Sequence, residues 1–109
     1  MAIYLDSNAT TQIHPRVVDA MMPFLTDCWH NPSSGYGAGK AVKSAIERAR
    51  EQVASLIGAS PKEIIFTGCG TESNSMVIKS LAREVGRKSS RVIVSESEHS
   101  AVLRPTEAM

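Results

Sequence analysis

The sequence predicts an α/β fold, a mainly parallel sheet with flanking helices, and three observations carry that expectation. Short β-prone runs alternate with amphipathic stretches in the order strand, helix, strand, helix. Turn-forming residues, Gly68-Cys69-Gly70 and Ser95-Glu96-Ser97-Glu98, stand where each strand hands over to a helix. Such alternation joins parallel strands through right-handed crossovers and lays helices over both sheet faces. Third, two consecutive strands do not finish a sheet of this type, and the last helical pattern is cut at Pro105-Thr106-Glu107-Ala108-Met109. The expectation is therefore an incomplete domain, a fragment or a very shortened relative.

The elements follow in order. Ile3-Tyr4-Leu5 is short, apolar and β-prone and stops at the turn formers Asp6-Ser7-Asn8, which predicts a short strand or an extended arm. A helix is expected from Pro15, because proline suits a first helical position and Val17, Val18, Met21, Phe24 and Leu25 supply an apolar face. Pro23, inside that pattern, should bend or shorten it. Residues 30–39 are so rich in glycine, proline and serine that a loop is predicted throughout. Val42, Ala45, Ile46, Ala49, Val53, Leu56 and Ile57 then recur on one helix face, and Gly58 offers a left-handed cap.

Glu63-Ile64-Ile65-Phe66-Thr67 reads as a buried strand, followed by a helix with Ile78, Leu81, Ala82 and Val85 inward and with Gly86 and Arg87-Lys88 at its C-terminus. Arg91-Val92-Ile93-Val94 reads as a further strand. Ser95 and Glu98 have capping-box spacing for a helix through His99, Ala101 and Leu103.

Composition narrows the function. In 109 residues, 42% hydrophobic and with a formal charge of +1, the basic and acidic side chains nearly balance and are scattered, so nothing argues for nucleic acid or an anionic membrane surface. No apolar run approaches a membrane span, and an acid at Asp6 precedes any signal-like stretch, so the expected compartment is the cytoplasm. Cys28 and Cys69 lack disulfide-framework or metal spacing, and His14, His30 and His99 form no metal signature.

In a parallel sheet both strand-to-helix turns fall at the carboxyl edge, where ligands of such folds bind, so Gly68-Cys69-Gly70-Thr71 and Ser97-Glu98-His99 should face one crevice. The first turn has the parts of an anion site: glycines that allow close approach, a helix N-terminus with unpaired N–H groups, and the Thr71 hydroxyl. It is neither common nucleotide loop, since Ser73 stands where a dinucleotide fingerprint needs glycine and no Gly-Lys pair is present. On these residues alone, a tight turn with Thr71 as a helix cap explains the pattern equally well. His99, in a first helical turn, sits where the backbone dipole disfavours imidazolium, so a neutral ring could lie over an aromatic cofactor or pass protons; a plain cap-side residue is the alternative. Cys69 fits an acidified thiol or, more commonly, a small buried hydrophobe.

Four motifs in register along nearly the whole chain resemble the opening of cysteine desulfurases of the NifS/IscS type, in the class V aminotransferase family. They are Tyr4-Leu5-Asp6-Ser7-Asn8-Ala9-Thr10-Thr11, Asn31-Pro32-Ser33-Ser34, Ile65-Phe66-Thr67-Gly68-Cys69-Gly70-Thr71-Glu72-Ser73 and Glu98-His99-Ser100-Ala101-Val102-Leu103. The resemblance implies a homodimeric enzyme of fold type I that uses pyridoxal 5'-phosphate. Such an enzyme takes sulfur from L-cysteine, leaving alanine and an enzyme persulfide that passes to a sulfur acceptor or an iron–sulfur scaffold protein.

By position, Gly70 and Thr71 would hold the cofactor phosphate, and His99 would stack on the pyridine ring and take part in proton transfer. Asn8-Ala9-Thr10-Thr11 would lie near the substrate entrance. Residues 1–15 would be an arm toward the small domain and 16–109 the front of the large one. The family's cofactor-bearing lysine, ring-nitrogen aspartate, carboxylate-binding arginine and persulfide cysteine match nothing here. Lys40, Lys43, Lys62, Lys79 and Lys88 fall on expected solvent faces or loops, and Cys28 and Cys69 match no catalytic position. Tyr36 stands where many relatives of the family carry histidine. Two other readings remain at this level: a related class V enzyme such as a selenocysteine lyase, or a non-catalytic product of a truncated gene.

Overall fold

The computed structural model describes residues 3–85 and 91–109, with side chains described through Glu84 and from Arg91. They divide into two compact units, Met1–Ile64 and Ile65–Met109. Among the described residues four helices form: α1 (Pro15–Thr26), α2 (Gly37–Ile57), α3 (Gly70–Val85) and α4 (Ser100–Glu107). None is long and apolar enough to cross a membrane.

In the first unit, α1 starts at Pro15 as expected, with His14 in extended conformation before it. The helix runs through Pro23 and ends three residues later, where the Pro23 carbonyl accepts from the Asp27 and Cys28 amides at 3.0 and 2.7 Å. Its apolar face is formed but not covered: no residue of α1 is buried. Helix α2 is longer than its apolar periodicity predicts, because residues 37–39, expected to be loop, form its first turn. Gly39 makes this possible. A Cβ there would stand 2.7 Å from the Asn31 carbonyl oxygen and 2.8 Å from that of Ser34, so only a residue without one lets the preceding loop pack on the helix start.

Gly58 caps α2 at φ 68°, as its position after the last periodic residue predicts, and the Ala59 amide bonds the Ala54 carbonyl at 2.9 Å. The chain then makes a short 3-10 turn at Pro61–Glu63, unforeseen in the sequence, where the Ser60 amide donates to Glu63 Oε2 at 2.8 Å. This turn packs back on α2, and the Arg50 guanidinium, which also meets Glu47 at 3.3 Å, donates to the Ile64 carbonyl. Ala54 is the buried apolar centre of this unit.

In the second unit α3 packs on α4, and Ile78 and Ala101 are buried. Leu81, expected inward, stays exposed. The C-terminus expected at Gly86-Arg87-Lys88 and the side chain of Val85 lie outside the described residues.

The two expected strands are not formed. Residues 64–67 and 91–95 lie outside any helix and pair with nothing in a ladder, and no strand occurs among the described residues. Ile65, Phe66, Val92, Ile93 and Val94 are exposed rather than buried. The reason is that a strand, unlike a helix, takes its backbone hydrogen bonds from a neighbour. The β-prone composition survives as extended backbone, with Ile64 at φ −96° and ψ 125°, but neither segment is paired in a ladder among the described residues. The same holds for Ile3-Tyr4-Leu5, which leads without pairing into a turn at residues 7–9.

The Gly39 contact yields a stability prediction. Gly39→Ala gains up to ~1 kcal/mol of helix propensity but forces backbone to move, at a cost of about 1–3 kcal/mol. Gly37→Ala, whose Cβ meets nothing within 4 Å, lacks that cost. Denaturant unfolding should therefore find Gly39→Ala less stable than Gly37→Ala.

Candidate functional site

Gly70, Thr71 and His99 fall in the second unit, at the N-termini of α3 and α4, whereas Asn8-Ala9-Thr10-Thr11 lies in the first. The chain reaches α3 through Thr67-Gly68-Cys69, a turn held by its own side chains. Thr67 Oγ1 lies 2.6 Å from Ser73 Oγ and donates to the Cys69 carbonyl at 3.1 Å. That carbonyl also accepts from the Ser73 amide at 3.2 Å. Glu72 folds back so that its Oε2 accepts from the Gly68 amide at 2.7 Å. Thr67, Glu72 and Ser73 were not singled out in the sequence, although an acid two residues into a helix is a recognisable signal for bonding to the amides before it.

With Gly68 satisfied by Glu72, the first amides of α3 itself, Gly70, Thr71 and Glu72, have no partner within the helix by its geometry. Gly70 and Thr71 are exposed, and a Cβ on Gly70 would meet nothing within 4 Å, so the helix start is open to an approaching group. Open amides, a positive dipole end and the Thr71 hydroxyl suit a phosphate ester. The Glu72 carboxylate opposes it by charge, tempered because one oxygen is engaged by Gly68. The donor set thus fits the phosphate of pyridoxal phosphate.

His99 differs from expectation in its local role. The capping box expected between Ser95 and Glu98 is absent: the Glu98 amide bonds the Ser95 carbonyl at 3.4 Å, and Ser95 Oγ accepts from the Ser97 amide at 3.2 Å, which makes a separate turn. Helix α4 begins at Ser100, and His99 is its cap, at φ −62° and ψ 148°, with Nδ1 accepting from the Ala101 amide at 3.1 Å. The imidazole substitutes for the oxygen that serine or aspartate normally supplies. Gly70, Thr71 and His99 therefore share one compact unit whose two helices pack together.

The other motifs lie in the first unit. Asn31 makes the ordinary turn its sequence allows, with Oδ1 accepting from the Ser33 amide at 2.8 Å. Tyr36 meets His30 edge-on at 6.2 Å between ring centroids, and His30 stacks on Trp29 at 5.0 Å. Both cysteines are free, Cys28 half-buried and Cys69 exposed rather than a buried strand-end thiol. Among the described residues no group of three or more His, Cys, Asp or Glu could hold a metal.

Comparison with known proteins supplies the wider setting. The family model for aminotransferase class-V matches residues 3–109. The chain is 52% identical over 108 residues to the mitochondrial cysteine desulfurase of Drosophila melanogaster, covering 98% of this chain and 23% of that protein. It is 48% identical over 103 residues to the cysteine desulfurase IscS of Dictyoglomus turgidum, covering 94% of this chain and 26% of that one. The chain thus spans about a quarter of the length of these relatives. Among solved structures a NifS-like protein superposes with a TM-score of 0.91 at 38% identity, over 99% of this chain and 30% of that chain. The helices described above therefore match a segment of that protein's fold.

The α3 turn makes its own prediction. Glu72→Ala releases the Gly68 amide and a favourable charge from the helix start and should destabilise the protein by about 1 kcal/mol. Glu72→Gln, which keeps an acceptor oxygen, should lose less, and thermal unfolding of the two variants separates them.

Proposed function

The chain belongs to the aminotransferase class-V family, and on that premise we propose that it forms the front of the cofactor-binding domain of a pyridoxal-phosphate-dependent cysteine desulfurase. The observation that carries the reading is the open N-terminus of α3, with Gly70 and Thr71 exposed at a turn whose preceding amide is already satisfied. Half-identity to proteins named cysteine desulfurases, extending over almost all of this chain, supports the same activity over other class V chemistries.

In this reading the Gly70 and Thr71 amides and the Thr71 hydroxyl hold the cofactor phosphate, and the His99 ring lies against the pyridine ring. The cofactor, when bound, draws off the electrons left on the amino acid's Cα as its proton departs. The protein must fix the ring by its phosphate, one face and its nitrogen, and this chain's residues serve the first two. The net reaction converts L-cysteine and an enzyme thiol to alanine and an enzyme persulfide, whose outer sulfur an acceptor or scaffold protein then takes. The persulfide cysteine, the cofactor-bearing lysine and the substrate-carboxylate arginine are assigned to no residue here. The reading further takes the two extended segments, 64–67 and 91–95, as strands of a mainly parallel sheet completed by other parts of the domain. Residues 1–15 are taken as the arm toward the small domain, and the enzyme as a cytoplasmic homodimer.

Two experiments test it. In the intact protein, Thr71→Ala removes a hydroxyl bonded to a charged group, worth about 1.5–3 kcal/mol. Pyridoxal phosphate should then be held roughly ten- to a hundredfold more weakly, and Thr71→Ser should restore most of that. Equilibrium dialysis showing unchanged retention in Thr71→Ala would sink the assignment. The 109-residue chain by itself, lacking a residue matched to the lysine, should form no yellow adduct with pyridoxal phosphate and release no sulfide from cysteine; a borohydride-reducible adduct would refute this.

A further inference from the structure

The His99 ring carries a constraint that its exposure alone does not reveal. Its Nδ1 accepts the Ala101 amide at 3.1 Å. A ring nitrogen that accepts a backbone N–H must present a lone pair, so the proton of the neutral ring sits on Nε2. Turning the ring over would set the carbon Cδ2 against that amide and leave a first-turn N–H of α4 unsatisfied. Among the described residues Nε2 has no protein partner, and His99 is exposed, so this N–H is available to a ligand.

We propose that α4 locks His99 as its Nε2–H tautomer, so that the capped ring meets a ligand as a hydrogen-bond donor and not as a proton acceptor. The inference rests on the pyridoxal-phosphate reading only for what the ring faces. For Nε2 to accept a proton it must first be bare, which moves the ring's own proton to Nδ1; a proton added directly goes to Nδ1. In either case Nδ1 gains a hydrogen and the Ala101 amide loses its acceptor. Any part His99 takes in proton transfer is therefore tied to opening the first turn of α4. The ligands that suit the capped state are acceptors, such as a carboxylate, a phenolate-type oxygen or the face of an electron-rich ring.

The same construction occurs at His14, in the other unit. That residue caps α1 at φ −63° and ψ 136°, with Nδ1 accepting from the Arg16 amide at 3.2 Å. His30 has ring contacts instead, which gives the chain its own reference for an uncapped histidine.

The test is long-range proton–nitrogen NMR on the intact protein labelled with ¹⁵N-histidine, at about pH 8, well above the usual histidine value of ~6.5. His99 and His14 should both show a protonated Nε2 and a bare Nδ1. An Nδ1–H ring at His99, or an even mixture of tautomers, overturns the proposal. Two variants separate cap from ring. His99→Ala should lower the melting temperature by roughly 2–4 °C, and His99→Asn, whose side-chain oxygen is a good cap, should restore most of it. An asparagine variant no more stable than the alanine one also counts against the proposal. If the Nε2–H signature is present while both variants leave the absorbance of bound pyridoxal phosphate unchanged, the tautomer assignment stands and the ring-stacking part of the functional reading falls.

Discussion

The amides at the start of a helix must find acceptors outside it, and how this chain satisfies them decides both its stability and its chemistry. At α4 the preceding side chain turns back, so His99 spends its Nδ1 on Ala101. At α3 the solution is displaced by one turn of chain. Glu72 reaches back to Gly68 rather than to the helix's own first amides, which leaves Gly70 and Thr71 for something else. The two helix starts thus present different things: one exposed backbone donors and a hydroxyl, the other an aromatic ring whose Nδ1 is already engaged.

The first unit obeys a different constraint, close approach of backbone to backbone. Gly39 lets the Asn31–Ser34 turn sit against the start of α2, and the far end of α2 is closed by Gly58 and then by the 3-10 turn that Arg50 ties down. Both ends of the longest helix are therefore specified by local contacts. Its sides and the faces of α1 are not, since large side chains such as Leu56, Leu25 and Ile57 remain exposed. Faces of that kind are normally covered by another layer of structure. That agrees with a chain matching about a quarter of its relatives' length.

What could be read in the sequence follows the range of the forces involved. Helix existence, the Pro15 start and the Gly58 cap rest on residues within a turn of one another, and each was legible. That Gly70 and Thr71 stand at an exposed helix start was legible for the same reason, whereas the bond from Glu72 back to Gly68 shows in the sequence only as an acid in the first turn. The strands stay unpaired among the described residues because ladder bonds come from a neighbour whose presence no property of Ile65 or Ile93 can guarantee. The start of α2 was placed too late because glycine at residue 39 reads as a loop former, whereas here its lack of a Cβ admits Asn31 and Ser34. Histidine as the cap itself was legible only as an alternative, because serine and glutamate nearby offer a more familiar pattern.

One small arrangement near the N-terminus has a wider meaning. The Tyr4 hydroxyl lies 2.8 Å from the Asp6 carbonyl, 3.1 Å from the Thr10 carbonyl and 2.5 Å from Thr10 Oγ1, while Thr11 Oγ1 donates to the Ser7 carbonyl at 3.0 Å. All these bonds join residues at most six positions apart. The loop from Tyr4 to Thr11 is thus held by side-chain bonds among eight consecutive residues, as a preformed buckle. Any body it fastens to meets a shape already drawn and loses less freedom in the joining.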